Sequence, residues 1–285
     1  MAYEYEHFLV DVDDVGVATV TINRPDKMNA FTYDMERDIA QIMWALDADD
    51  DVRVIVLTGA GRAFSSGIDL SQGPQVFSEE GKDEHAGTTG GSSESLPEKF
   101  GWWRMATPVI AAINGAAIGA GLTLTLLADL RVVADDAKLQ FVFSRRAMLP
   151  EANSTWLLAR LIGASRAMEL LLTGRSFDGQ EAREYGIAVR SVPADQVLAT
   201  AQELARDMAV QCSPATLGLI KRVLYHFMSE TDRSKAMVQE TDLVWWMGTQ
   251  PDIVAGIMAW MSNKDPQWKM PKYPDVPEHL RFYEE

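Results

Sequence analysis

A chain of 285 residues that is 47% hydrophobic has the material for a large buried core, in one domain or in one domain with an appendage. Its formal net charge of -15 argues against nucleic acid and anionic membrane as principal partners, because both are held by clustered Lys and Arg. Cys212 is the single cysteine, so no intrachain disulfide can form, and His7, His85, His226 and His279 are too scattered to suggest a metal site or a Ser-His-Asp triad. No apolar run approaches the roughly 20 residues needed to cross a bilayer, and the first residues lack the basic flank and apolar stretch of a signal peptide, so the expected location is cytoplasmic.

In chain order, Phe8 to Val12 and Val15 to Ile22 alternate as strands about a turn at Asp13-Asp14, which predicts a hairpin. Thr32 is placed to cap a helix in which Met35, Ile39, Ile42, Met43 and Leu46 recur at helical spacing, ahead of a buried strand at Val52 to Thr58. Strand, helix, strand in that order predicts a right-handed crossover onto a parallel pair. Ser71 to Pro97 is rich in Gly, Ser, Thr and Glu with little to bury, and reads as a mobile insertion. After a helical stretch at Glu98 to Met105 come a strand at Val109 to Ile113, a turn at Asn114-Gly115, a helix at Gly119 to Leu127 and a strand at Leu130 to Ala134. From Ser154 the pattern is mostly helical, with C-terminal helices expected at Ala194 to Val210, Pro214 to Phe227, Thr231 to Trp246 and Ile253 to Met261.

Two loops stand out chemically. Ala63-Phe64-Ser65-Ser66-Gly67-Ile68-Asp69-Leu70 follows a strand and is built of small residues, which let a backbone N–H meet a ligand closely. Ile113-Asn114-Gly115-Ala116-Ala117-Ile118-Gly119-Ala120-Gly121 also leaves a strand and opens a helix, whose first N–H groups are unpaired. Two such donors suit a thioester whose carbonyl oxygen becomes an enolate or a tetrahedral oxyanion. The glycines at 115, 119 and 121 lack the G-x-G-x-x-G spacing of a dinucleotide site.

These loops, together with Asn23-Arg24-Pro25-Asp26-Lys27-Met28-Asn29-Ala30 and with Leu171-Leu172-Thr173-Gly174 followed by Ala182 and Gly186, resemble the crotonase (enoyl-CoA hydratase/isomerase) superfamily in order and separation. The resemblance implies an α/β fold, a ββα superhelix over residues 1–195 carrying the acyl-CoA site, with a C-terminal helical trimerisation region over 196–285. It implies an oxyanion hole from the N–H groups of Ile68 and Ala120. It places Arg24, Lys27, Ala63, Ser66, Gly67 and Asp69 along the CoA channel, Gly119, Thr123 and Phe143 at the acyl site, and Lys264 within reach of CoA phosphates. It further implies a homotrimer or a dimer of trimers, with no cofactor beyond the CoA carried by the substrate.

Hydratases of this resemblance use two glutamates, and the matching positions here are Thr123 and Phe143, neither of which exchanges protons near neutrality. Glu151, in Met148-Leu149-Pro150-Glu151, matches instead the catalytic glutamate of peroxisomal-type 3-enoyl-CoA isomerases. One carboxylate is sufficient to move a proton from C2 to C4 of a 3-enoyl chain, and burial beside Phe143, Met148 and Trp156 is expected to raise its pKa. Asn153 and Ser154 are candidates to orient it or to cap a helix. The bland alternative is an exposed first-turn helix acid after Pro150. Water activation by Glu151, in a hydratase or hydrolase, and a non-catalytic acyl-CoA binder are the other readings. Trp102-Trp103 and Trp245-Trp246 are expected as core or subunit contacts, with the acyl tunnel wall as the alternative for Trp102 or Trp103, and Trp260, Met258 and Met261 suit either a subunit interface or intrachain packing.

Overall fold

The computed structural model describes residues 5–71, 73 and 99–284, so the expected insertion falls outside the described residues except for Ser71 and Gly73. Among the described residues ten strands form two sheets. The larger has the order β1-β2-β3-β5-β7-β10, built from β1 (Phe8–Val12), β2 (Val17–Ile22), β3 (Val54–Gly59), β5 (Val109–Ile113), β7 (Leu130–Ala134) and β10 (Arg190–Val192). The β1/β2 hairpin is antiparallel, with Phe8 opposite Ile22, and every later pairing in this sheet is parallel. The smaller sheet has the order β4-β6-β8-β9, from β4 (Ala63–Ser65), β6 (Ala116–Ile118), β8 (Leu139–Gln140) and β9 (Ser176–Phe177).

The hydrophobic runs explain the large sheet. All six residues of β3 and all five of β5 are buried, as expected for central parallel strands covered on both faces. One cover is α1 (Tyr33–Ala48), whose Met35, Ile39, Ile42, Met43 and Leu46 are all fully buried and whose start is capped by Thr32 Oγ1 accepting from the Met35 N–H at 3.3 Å. The other is α6 (Val197–Gln211), which contributes Val197, Ala201, Ala205 and Ala209 against β3, β5 and β7. Between them come α2 (Ala120–Leu126), α3 (Ser154–Ile162), α4 (Ala164–Thr173) and α5 (Gly179–Tyr185).

The expected C-terminal helices are present as α6, α7 (Pro214–Phe227), α8 (Arg233–Met247) and α9 (Pro251–Ser262). The tail then returns to the body: Lys272 Nζ donates to the carbonyls of Asp49 (2.6 Å), Leu46 (3.2 Å) and Val52 (3.2 Å) and to Thr107 Oγ1 (3.1 Å). Four neutral acceptors thus satisfy a buried ammonium, and burial lowers its pKa. Among the described residues no helix is long and apolar enough to cross a membrane.

Two readings are corrected here. The small-residue loops contain short strands, β4 and β6, which pair in parallel with Ala63 opposite Ala116. For Trp102-Trp103 the acyl-tunnel alternative gives way: Trp102 is fully buried in the core, as the favoured reading has it, and Trp103 lines a separate cavity with Arg104 and Arg222.

Candidate active site

The segment after β2 is organised around one side chain. Asn29 is fully buried with φ of 56°, a left-handed conformation that Asn tolerates better than most residues. Its amide donates to the carbonyls of Ala60 (2.9 Å) and Ala63 (2.8 Å), and its Oδ1 accepts from the Arg24 N–H (2.9 Å). Ser65 Oγ donates to the Asn29 carbonyl at 2.8 Å and accepts from the Gly67 N–H at 3.2 Å, and the Ser66 N–H donates to the Met28 carbonyl at 3.0 Å. The loop leaving β4 is therefore held from its own start.

Phe31 pairs with Ile68 in an isolated parallel bridge: the Phe31 N–H donates to the Gly67 carbonyl and the Asp69 N–H to the Phe31 carbonyl, each at 2.8 Å. The Ile68 N–H between them has no hydrogen-bond acceptor among the described residues. Across the gap, Gly119 takes φ of 55° ahead of α2, and Ala120 opens that helix with an N–H likewise unclaimed. The two loops touch where side chains are absent. A Cβ at Gly67, whose φ is 93°, would stand 2.6 Å from the Ile118 carbonyl oxygen and 3.5 Å from the Ala120 nitrogen. A Cβ at Gly121 would stand 2.4 Å from the Ser65 carbonyl oxygen.

Both loops line one cavity of about 510 Å³, which also receives Glu36, Phe143, Met148 and Glu151. Glu151 precedes α3, and the residues after it, Ala152 and Asn153, have φ of 53° and 57°. The chain thus turns before the helix begins, and Glu151 is not the exposed first-turn acid. Its Oε1 accepts from Thr123 Oγ1, on α2. Burial raises the Glu151 carboxyl to about 7; the Thr123 hydroxyl opposes that rise and the nearby Glu36 adds to it. Phe143 and Met148 provide the expected apolar wall, while Trp156 stacks under the Arg160 guanidinium, 3.6 Å from its ring centre, and is not among the cavity-lining residues.

The remaining candidates separate by position. Ser66, Gly67, Ile68, Gly119 and Ala120 reach the cavity wall, whereas Ala63 is buried beneath it and supplies a carbonyl to Asn29. Arg24 Nη1 lies 2.6 Å from Asp69 Oδ2 and also donates to the Ala30 carbonyl at 3.1 Å. Hydrogen bonds from Ser71 and from Arg24 hold the Asp69 carboxyl down at about 2. Arg24 and Asp69 thus form a charge-compensated pair, which lines a neighbouring cleft of about 360 Å³ that shares Ile68 with the main cavity. Lys27 is exposed, and Lys264 is exposed just beyond α9; neither is among the residues lining the main cavity. Neither Asn153 nor Ser154 orients the carboxylate: the Ser154 N–H donates to the Glu151 backbone carbonyl, and its buried hydroxyl has no partner.

The residue overlooked in the sequence is Glu36. It precedes Ile39 by three and Met43 by seven, so an acid stands on the apolar stripe of α1, and that misplaced charge was the available signal.

Comparison with known proteins identifies the family. The profile of the enoyl-CoA hydratase/isomerase family matches residues 13–271. An enoyl-CoA hydratase of Alternaria alternata is 33% identical over 93% of this chain and 87% of its own. The 1,2-epoxyphenylacetyl-CoA isomerase of Escherichia coli is 33% identical over 92% of this chain and 98% of its own. The crystal structure of a probable enoyl-CoA hydratase/isomerase from Mycobacterium abscessus superposes with a TM-score of 0.82 at 37% identity, covering 92% of this chain and 98% of that one. A family profile spanning most of the sequence, carried on the same fold, makes this chain an enzyme of the enoyl-CoA hydratase/isomerase family, within the crotonase superfamily.

Proposed function

We propose that the protein is a 3-enoyl-CoA to 2-enoyl-CoA isomerase whose base is Glu151. The observation that carries the reading is a carboxyl raised to about 7, facing a mostly apolar cavity and touched by Thr123, with the unclaimed N–H groups of Ile68 and Ala120 on the same wall. A base is most effective when its pKa is close to the working pH. The thioester oxygen accepts from Ile68 and Ala120, Glu151 removes a proton from C2, the charge spreads through a dienolate onto that oxygen, and a proton returned at C4 leaves the double bond conjugated. Each oxyanion donor of this kind contributes about 2.7–4 kcal/mol to such a transition state. CoA is substrate, not cofactor, and its pantetheine and phosphates run toward the cleft lined by Arg24 and Asp69, near exposed Lys27.

Hydration is the second reading, favoured by the name of the Alternaria relative, and in it Glu151 activates water instead. Residues 196–285 supply the assembly surface in this account. Met237, Val244 and Trp245 of α8 and Val254, Met258, Trp260 and Met261 of α9 are all well exposed, Trp260 at 84%, more apolar surface than a monomer usually leaves in water. A homotrimer or dimer of trimers covers it and brings Lys264 toward a neighbouring site.

The test follows conjugated-thioester absorbance with a 3-enoyl-CoA and, separately, a 2-enoyl-CoA, for the native chain and Glu151→Gln. Appearance of conjugated product from the 3-enoyl ester, lost in the variant, is the expected result. Consumption of the 2-enoyl ester without isomerisation of the 3-enoyl ester makes the protein a hydratase.

A further inference from the structure

The end of α7, the single turn Trp102–Arg104 and the segment Phe282–Glu284 border a half-open cavity of about 530 Å³. Among the described residues it shares no lining residue with the main cavity or with the Arg24 cleft. Arg222 of α7 lines it and is only 7% exposed, a depth at which a cation is normally paired. Its Nε donates to the Gly218 carbonyl at 3.1 Å, and its Cζ stands over the rings of Tyr273 (5.1 Å) and Tyr283 (4.8 Å). Its two Nη groups have no hydrogen-bond acceptor among the described residues, and the one carboxylate within ion-pair distance there, Glu284, is 3.9 Å from Nη1 and half exposed. Arg104 reaches the same cavity with no side-chain hydrogen bond or ion pair to a described residue. His226 also borders it, and its buried Nε2 has no partner among the described residues.

Together these groups form an anion site that lacks its anion's oxygens. In a chain of net charge -15, two guanidiniums meet at one cavity. Of the two acids beside them, Glu230 is held by Lys235 Nζ and by the N–H groups of Thr231 and Asp232, each at 2.8 Å, which leaves only Glu284 to oppose the arginines. The remaining charge is close to one positive unit, which suits a monoanion and disfavours a phosphate dianion. A planar carboxylate matches the guanidinium fork. Trp103, Tyr225 and Tyr283 give the cavity aromatic walls.

We propose that this cavity is a binding site for an aromatic monocarboxylate, separate from the acyl-CoA site. The carboxylate accepts from the Nη groups of Arg222, Arg104 adds a second cation at the open rim, and the ring packs among the aromatic walls. The inference stands apart from the isomerase reading.

Isothermal titration of the full chain with benzoate, benzamide and inorganic phosphate tests it. Benzoate binds with a Kd in the millimolar range or tighter, while benzamide, which keeps the ring without the charge, and phosphate do not bind at the same concentrations. Arg104→Ala, at an exposed position, weakens benzoate about 10-fold, and Arg222→Lys, which keeps the charge and loses the fork, does so by about as much. Because Arg222 is buried, Ser229→Trp provides a second perturbation: it fills the cavity from an exposed lining position and abolishes benzoate binding. Glu151→Gln and saturation with an acyl-CoA leave benzoate binding unchanged. Absence of benzoate binding by the native chain, equal binding of phosphate or benzamide, benzoate binding that survives both Arg104→Ala and Ser229→Trp, or displacement of benzoate by the acyl-CoA overturns the proposal.

Discussion

Replacing Glu151 with Gln is predicted to stabilise the protein at alkaline pH and to leave it unchanged in acid. The folded-state carboxyl titrates at about 7 against an ordinary value of 4.5, chiefly because burial disfavours its charge. A raised carboxyl pKa means the folded chain holds the proton more tightly than the unfolded chain. Its favourable contribution is therefore full below pH 4.5, is lost as pH rises from 4.5 to 7, and is absent above that. Each pKa unit corresponds to about 1.36 kcal/mol, so native Glu151 costs on the order of 3 kcal/mol at pH 8, reduced somewhat by water in the open cavity. Glutamine keeps the shape and a Thr123 contact but carries no charge at any pH. Denaturant midpoints for the native chain and Glu151→Gln, measured at half-unit steps from pH 4.5 to 8.5, should diverge between 4.5 and 7 and run parallel above. A constant difference across that range would refute the assignment of a buried, proton-holding carboxyl.

Two further outcomes follow from neighbouring contacts. Thr123→Val removes the hydroxyl that favours ionised Glu151, so the pH at which activity is half-maximal should move upward by about one unit and turnover at pH 7 should fall several-fold, read from kcat/KM profiles. Asn29→Ala leaves the Ala60 and Ala63 carbonyls and the Arg24 N–H without their partner and puts alanine at a left-handed φ, so it should cost about 3 kcal/mol by chemical denaturation.

The long elements were legible because burial imposes a period. The stripe of α1, the solid apolar runs of β3 and β5 and the C-terminal helices all stand close to where spacing placed them. The small sheet was not, because strands of two or three residues such as β4 and β8 are too short to show alternation; β4 is held by hydrogen bonds with Asn29, and β8 by its pairing with β6 and β9. Glu151 was legible through the resemblance, while its helical placement on local grounds failed because Ala152 and Asn153 both turn left-handed, a conformation chosen by the surroundings. The Arg24 pairing with Asp69 joins residues 45 apart, which no local pattern announces. Thr123 stood out in the sequence only as a departure from the hydratase pattern; that its hydroxyl would hold Glu151 depended on the path of the chain after Phe143.

The central claim is that the Glu151 carboxylate removes the C2 proton, and the pH dependence of kcat/KM on a 3-enoyl-CoA tests it most directly. Since the ionised form is the base, the rate should rise with pH, reach half its maximum near 7 and then level off, with Glu151→Gln reduced at least 10²-fold at every pH. A profile already flat from pH 5 upward, or a Glu151→Gln enzyme that isomerises at the native rate, would contradict the account.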